Sequence, residues 1–445
     1  MTAYPTPMSK QKSIFDSALL YATFGLLMLG PLAFGAVEAW SMFLLEAGAV
    51  TLFVAWLYLQ VRRGEVKIFT NPLFLPMGAF GLLTLLQIVF HLTAYRHDAV
   101  SGAFLYCAYG MLAFLAAQTL RRGAQARRLA TILSVYGAGV AMFALLQGIS
   151  PNGKLYWVRQ PRLGGWIYGP YVNHNHYAGL MEMLVPIPLV LSLTRLATTK
   201  ERIAAGAAAA LMASTIFLSS SRGGMLAFAA ELVVLAVILV RQRQGVRAAL
   251  GIGGFLAILL GLLVWLGGSQ LHQRVTSIGT EGRSELSGGM RLSIDRDGLH
   301  MFAKKPVLGW GLRSFPVVYP QFRTFYTNFF VNEAHNDYLQ LLVEMGAVGF
   351  AIMLWFVVMM YRTAIAKLKD WTSEISGAVA LACLLALTGI LVHGWVDFNL
   401  QIPANAAFFY VLCTVAASDP FPSAARKRRV MRTRVQQEMP ASEVV

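Results

Sequence analysis

Asn332-Glu-Ala-His-Asn-Asp-Tyr-Leu-Gln-Leu-Leu-Val-Glu-Met-Gly-Ala-Val-Gly349 joins the longest polar segment of the chain to a hydrophobic run of about one membrane thickness. Everything before Tyr338 in this stretch is polar or small, and the residues after it are mostly apolar, so a helix is expected to enter a bilayer near Tyr338. His335 therefore stands at the entrance of a membrane helix, where a titratable imidazole can take part in chemistry.

Composition extends that reading to the whole chain. Of the 445 residues, 57% are hydrophobic and 13% charged. With a mean hydropathy of +0.58, this is an all-α polytopic membrane protein. Candidate spans fall at roughly 17–36, 41–60, 72–93, 102–120, 129–149, 177–196, 203–220, 224–240, 247–267, 338–361, 375–398 and 401–417, about twelve helices in a transmembrane domain over 17–420. The net charge of +16 could signal nucleic acid, but the basic residues sit in short clusters between the apolar runs and are read as topology, with anionic membrane lipids as partners. Clusters at Lys10 and Lys12, Arg62 to Lys67, Arg121 to Arg128, Arg195 to Arg202, Arg241 to Arg247, Arg362 to Lys369 and Arg426 to Arg434 occupy every second connection. By the positive-inside rule that side is cytoplasmic, which puts residues 1–16 and the basic tail 421–445 inside; the tail reads as disordered. Cys107, Cys383 and Cys413 lie in apolar runs without metal-ligand spacing, so neither disulfide nor zinc site is expected.

The opposite face collects the unusual residues, in the loops 150–176 and 268–337 and in the turns Ser219–Gly224 and Asp397–Gln401. Within the longer loop, Met290–Phe302 has the pattern of an amphipathic helix, with Met290, Ile294 and Met301 on one side and Arg291, Asp295 and Arg296 supplying charge; lying on the membrane surface would suit it. Tyr319 to Phe330 is aromatic enough to sit at the headgroup level.

His335 with Asn336 is one candidate for chemistry; as a neutral imidazole it can accept a proton from a hydroxyl. Arg222, in Ser219-Ser-Ser-Arg-Gly-Gly224, sits close to hydrocarbon, where a guanidinium needs water or an anion. Arg291 could converge with it on a pyrophosphate through paired charge-assisted hydrogen bonds. Asn173-His-Asn-His176 opens another span; its two histidines lack a third partner for zinc. His393 and Asp397, four apart, are expected to share one helix face as a structural pair, and Glu231 and His393 are the intramembrane charges. Glu344 is assigned to structure, pairing with Asn or Arg on a neighbouring helix.

His335-Asn336-x-x-Leu339 followed by Glu344-x-Gly346-x-x-Gly349, entering a transmembrane helix after a long loop, resembles the signature of the O-antigen ligase and Wzy-type polymerase superfamily. The turn from Ser219 to Gly223 resembles that family's Ser-Arg-Gly turn, and Tyr171 to Gly179 and Asp397-Phe-Asn399 with Pro403 and Asn405 are similar to segments of its members. The resemblance is strongest over about 160–410. It implies a GT-C-like helical fold in the bacterial inner membrane and a periplasmic active site. The implied reaction transfers an undecaprenyl-diphosphate-linked glycan onto a glycan or lipid A-core acceptor, with no metal, cofactor or nucleotide sugar. By position, His335 matches the proposed base, and Arg222 and Arg291 match arginines proposed to hold the diphosphate, with Ser221, Asn336, Asn175 and Asp397 in support. The alternatives are a protein O-oligosaccharyltransferase or, from another class, a multi-helix solute transporter.

Overall fold

The apolar runs become helices because, out of water, only intrahelical bonding satisfies every backbone N–H and C=O. The computed structural model describes residues 7–64, 66–161, 165–242, 245–276, 288–327 and 330–418, so the expected tail 421–445 lies outside the described residues. In chain order the helices are α1 (Pro7–Leu32), α2 (Ala39–Arg62), α3 (Phe74–Val89), α4 (Arg96–Thr119), α5 (Gly123–Ile149), α6 (His174–Leu184), α7 (Pro186–Leu193), α8 (Thr199–Leu218), α9 (Arg222–Arg241), α10 (Val246–Thr276), α11 (Gly288–Lys304), α12 (Phe315–Val318), α13 (Asp337–Ile365), α14 (Ile375–His393) and α15 (Pro403–Ala417). Among the described residues there is no strand, and nine helices are long and apolar enough to cross a membrane. Three shorter apolar helices, Phe74–Val89, Leu250–Trp265 and Pro403–Ala417, stand where the sequence suggested further spans.

The centre of the bundle is α14 and α15, whose residues are almost all buried; α14 packs on α9, α6 and α7, and α15 on α4 and α13. Small residues allow these close approaches, among them Ala378, Ala382 and Ala386 on α14 and Ala404, Ala407 and Ala416 on α15.

Three boundaries differ from expectation, each for a backbone reason. First, α10 continues to Thr276, past the predicted loop start at 268. Second, α14 ends at His393, so Asp397 is not on its helix. The Gly394 carbonyl, which would accept the next helical bond, takes the Asp337 N–H instead (2.8 Å), and Phe398 N–H turns to the Asp397 side chain (2.9 Å). Third, α13 is kinked at Gly346, where φ is +65°. The groups freed there are met by the preceding loop: Trp310 N donates to Val343 O, Gly311 N to Glu344 O, Ala347 N to Pro306 O and Val348 N to Val307 O, at 2.8 to 3.2 Å.

A side chain at Gly346 would strike the Val307 carbonyl as well as require a left-handed backbone. Gly346→Ala is therefore expected to cost about 2 kcal/mol or more of stability, read as a lowered midpoint of thermal unfolding in detergent; an unchanged midpoint would remove the kink from the account.

The 288–327 segment builds a second small core. Ile294 and Met301 of α11 are fully buried against Phe315, Val318, Tyr319, Val331, Leu339 and Val343. The apolar face of this helix thus meets protein, where the sequence pattern suggested a membrane surface. Tyr319 likewise is buried, its hydroxyl donating to Asp297 (3.2 Å), while Tyr326 and Phe330 remain exposed.

Candidate active site

Asn336 caps α13, its side-chain oxygen accepting from Tyr338 N and Leu339 N, both at 3.1 Å. The residue before the cap must turn the chain sharply, and His335 does so with φ +54°, a left-handed conformation that costs a non-glycine residue energy and recurs at functional sites. Its Nδ1 lies 3.7 Å from Asp397 Oδ1, beyond hydrogen-bond distance, and its ring meets Phe398 edge-on at 4.7 Å. His176 meets the same phenyl ring at 4.7 Å, so Phe398 stands between two imidazoles. Both His335 Nδ1 and Asp397 Oδ2 are buried without a hydrogen-bond partner.

The turn that carries Asp397 is fixed from two sides. Asp337 accepts from Leu400 N (3.1 Å) and from the Gln401 amide (3.2 Å), tying the turn to the start of α13. Asn405 donates to His176 O (2.9 Å) and to Asn399 Oδ1 (3.1 Å) while accepting from the Tyr171 hydroxyl (2.7 Å), tying α15 to α6. Buried Asn175 lies on that first turn of α6 beside His176.

Arg291 enters from α11. Its Nη1 donates to Val396 O at 2.8 Å, and its Nε is buried without a partner. Burial alone would push the Asp397 carboxyl up, but His335, His176 and Arg291 around it hold it below the ordinary carboxylate range. Asp295, one turn along α11, goes the other way: burial raises it, against Asn336, His335 and Arg291.

Arg222 starts α9 and is exposed. Ser220 ahead of it is left-handed (φ +64°), and Ser221 caps the helix by accepting from Gly224 N (3.1 Å). Any side chain at Gly223 would run into the His393 ring and Val396, so the Arg222 turn presses on the same 394–397 turn that Arg291 grips. His335, Asp397, Asn336, Asp295 and Arg291 thus form one cluster at one end of the bundle, with Arg222 one residue from its edge.

Two sequence expectations are corrected here. His393 does not pair with Asp397 through side chains; its Nδ1 is 2.8 Å from Glu182 Oε1, a fully buried pair, because the end of α14 sends Asp397 away toward His335. Glu182, which the sequence reading passed over, therefore joins Glu231 and His393 as an ionisable side chain buried in the bundle; a lone glutamate in the apolar run 177–196 was the available signal. Glu344 is held by the preceding loop and its own helix. Its carboxylate accepts the backbone N–H groups of Arg313 (2.8 Å) and Phe315 (3.3 Å) and the Gln340 amide.

Among the described residues no three His, Cys, Asp or Glu side chains are grouped to hold a metal. Residues 207–354 match the family model described as O-Antigen ligase. Over that third of the chain the sequence is similar to the O-antigen ligase family. The O-antigen ligase segment contains Arg222, Arg291 and His335, while Asp397 and the His393 turn lie beyond it. No curated protein matches the chain.

Phe398 also lines a cavity of about 180 Å³, together with Tyr106, Arg313, Asn332, Glu333 and Gln401. Burial, with Glu344 adding to it, pushes Glu333 up to about 8. A carboxyl raised in the fold binds its proton more tightly there than in the unfolded chain, whose value is near 4.5. Its contribution to stability is then full below that lower value and is lost as pH rises through about 8. Glu333→Gln is expected to gain thermal stability relative to the parent between pH 5 and 9; a difference in midpoint that does not change with pH would refute the burial of this proton.

Proposed function

We propose that this chain moves a glycan from a polyprenyl diphosphate, undecaprenyl diphosphate in bacteria, onto an acceptor hydroxyl at the periplasmic face of the inner membrane, with both termini in the cytoplasm. The observation that carries the reading is the strained, half-buried His335 facing ionised Asp397, with Arg291 beside it and Arg222 at the adjoining turn. A glycosyl diphosphate is already activated, so the protein must supply a base for the acceptor and cations for the departing diphosphate.

In the step as written, the acceptor oxygen bonds to the anomeric carbon and the carbon–oxygen bond to the diphosphate breaks. The acceptor proton passes to His335, and the electron pair leaves with the lipid diphosphate. With Nδ1 turned to Asp397, Nε2 is the nitrogen that takes the proton, and the carboxylate stabilises the cation so formed. Arg222 and Arg291 would hold the two phosphates, and a direct displacement inverts the sugar carbon. Ser221 and Asn336 support this by capping the helices that carry Arg222 and follow His335.

The test is reconstitution of purified protein in lipid with a synthetic polyprenyl-diphosphate glycan and, in separate reactions, lipid A-core, a second copy of the glycan donor or a protein acceptor. Product from the first indicates a ligase, from the second a polymerase, from the third a protein glycosyltransferase. Absence of product from all three, alongside uptake of a soluble solute into the same vesicles, would replace the transferase by the transporter.

A further inference from the structure

The end of α5 and the described residues 151–161 and 165–169 line a pocket of about 410 Å³ that the transfer scheme does not use, of a size usual for small-molecule sites. Its wall includes Gln147, Asn152, Lys154, Gln160, Trp166 and Tyr168. Gln147, on the last turns of α5, is only 6% exposed. Its amide nitrogen donates to Lys154 O (3.0 Å), but its amide oxygen is buried with no hydrogen-bond partner. A buried acceptor in a polar recess is satisfied when something brings it a hydroxyl or N–H.

Trp166 stays 37% exposed while its ring lies tilted on His174 at 4.7 Å. Nδ1 of His174 is 2.7 Å from Ser219 O, at the start of the turn that leads to Arg222. The pocket is therefore coupled, through two side chains and one carbonyl, to the turn that begins α9.

Amides, a lysine and an indole ring in one recess make a poor site for a polyprenyl chain and a good one for a sugar, whose hydroxyls bond amides and whose C–H faces pack on aromatic rings. We propose that this pocket is a glycan subsite that holds a sugar of the donor or acceptor while its reacting end lies at His335. The proposal rests on the transfer reading for its choice of glycan, but binding can be measured without transfer.

The experiment is saturation-transfer NMR on the full chain in lipid nanodiscs. The probes are two oligosaccharide fractions released by mild acid from the lipopolysaccharide of the producing strain, core and polymer repeat, with maltotriose as an unrelated glycan. One fraction is expected to bind, and Trp166→Leu and Gln147→Ala to weaken it by about tenfold each, the effect of one lost contact. Gln160→Ala, at the exposed rim, tests the pocket without touching the buried frame. Binding of the core fraction makes this an acceptor subsite; binding of the repeat fraction makes it a donor subsite. The proposal is overturned if neither fraction binds the parent protein, or if all three variants bind as the parent does. Failure of transfer is distinguishable: His335→Ala should keep full binding, and a protein that binds glycan in this pocket but transfers none would sink the transfer reading alone. Conversely, transfer with unchanged KM in the three variants sinks the pocket alone.

Discussion

Replacing His335 by alanine is expected to lower transfer about 10²–10⁴-fold in kcat, the usual worth of a positioned general base. The loss should leave donor and acceptor KM near their parent values, because the imidazole acts on a proton that moves only in the transition state. His335→Ala also relieves nothing of the left-handed backbone, since alanine tolerates φ +54° no better than histidine. Expression and unfolding midpoint are thus the controls that separate lost chemistry from lost structure. A strain carrying the variant at parental protein level and still making parental surface glycan would remove the base from the mechanism. Asn at this position, which accepts the left-handed backbone but cannot take a proton, should be as inactive as alanine and at least as stable.

The second large effect is at the arginines. Arg222→Ala is expected to cost about 10²–10³ in kcat, by analogy with loss of one donor to a developing anion. Arg222→Lys keeps the charge but not the two-pronged geometry, and should sit on the order of tenfold below the parent. Arg291 should behave differently. One prong already holds the Val396 carbonyl, so Arg291→Ala loosens the 394–397 turn and with it the Asp397 carboxylate facing His335. Its substitution is expected to change the pH dependence of kcat as well as donor KM, whereas Arg222→Ala should lower kcat and raise donor KM with the pH dependence unchanged. Full activity in Arg222→Lys would argue against paired hydrogen bonds to a diphosphate.

Most of the helices were legible in the sequence because membrane spans are written in composition: about 20 apolar residues bounded by charge leave the backbone no other choice. The amphipathic segment over 290–302 was legible for a similar reason, since Ile294 and Met301 mark one face. What that face would touch was not. Periodicity reports that a surface is covered, and cannot tell lipid from the aromatic loop that follows. The relation between His393 and Asp397 failed for another reason: spacing of four implies one face only if the helix continues, and whether it continues depended on Asp337, far away in the chain, capturing the Gly394 carbonyl. The resemblance to the O-antigen ligase family was readable from short motifs because they fix backbone events. Asn336 caps a helix, Gly346 kinks it, and Asn405 ties two helices together. The contact between His335 and Asp397 joins residues on two separate elements, and no local pattern encodes a distance.

The hydrogen bonds that join residues 306–311 to the kink of α13 run between main-chain atoms, while Leu308 packs beside Met345. The approach is close enough that a Cβ at Gly309 would strike the Glu344 carbonyl and one at Gly346 the Val307 carbonyl, so the join holds only while those positions stay glycine, and it anchors one end of the long loop to the bundle.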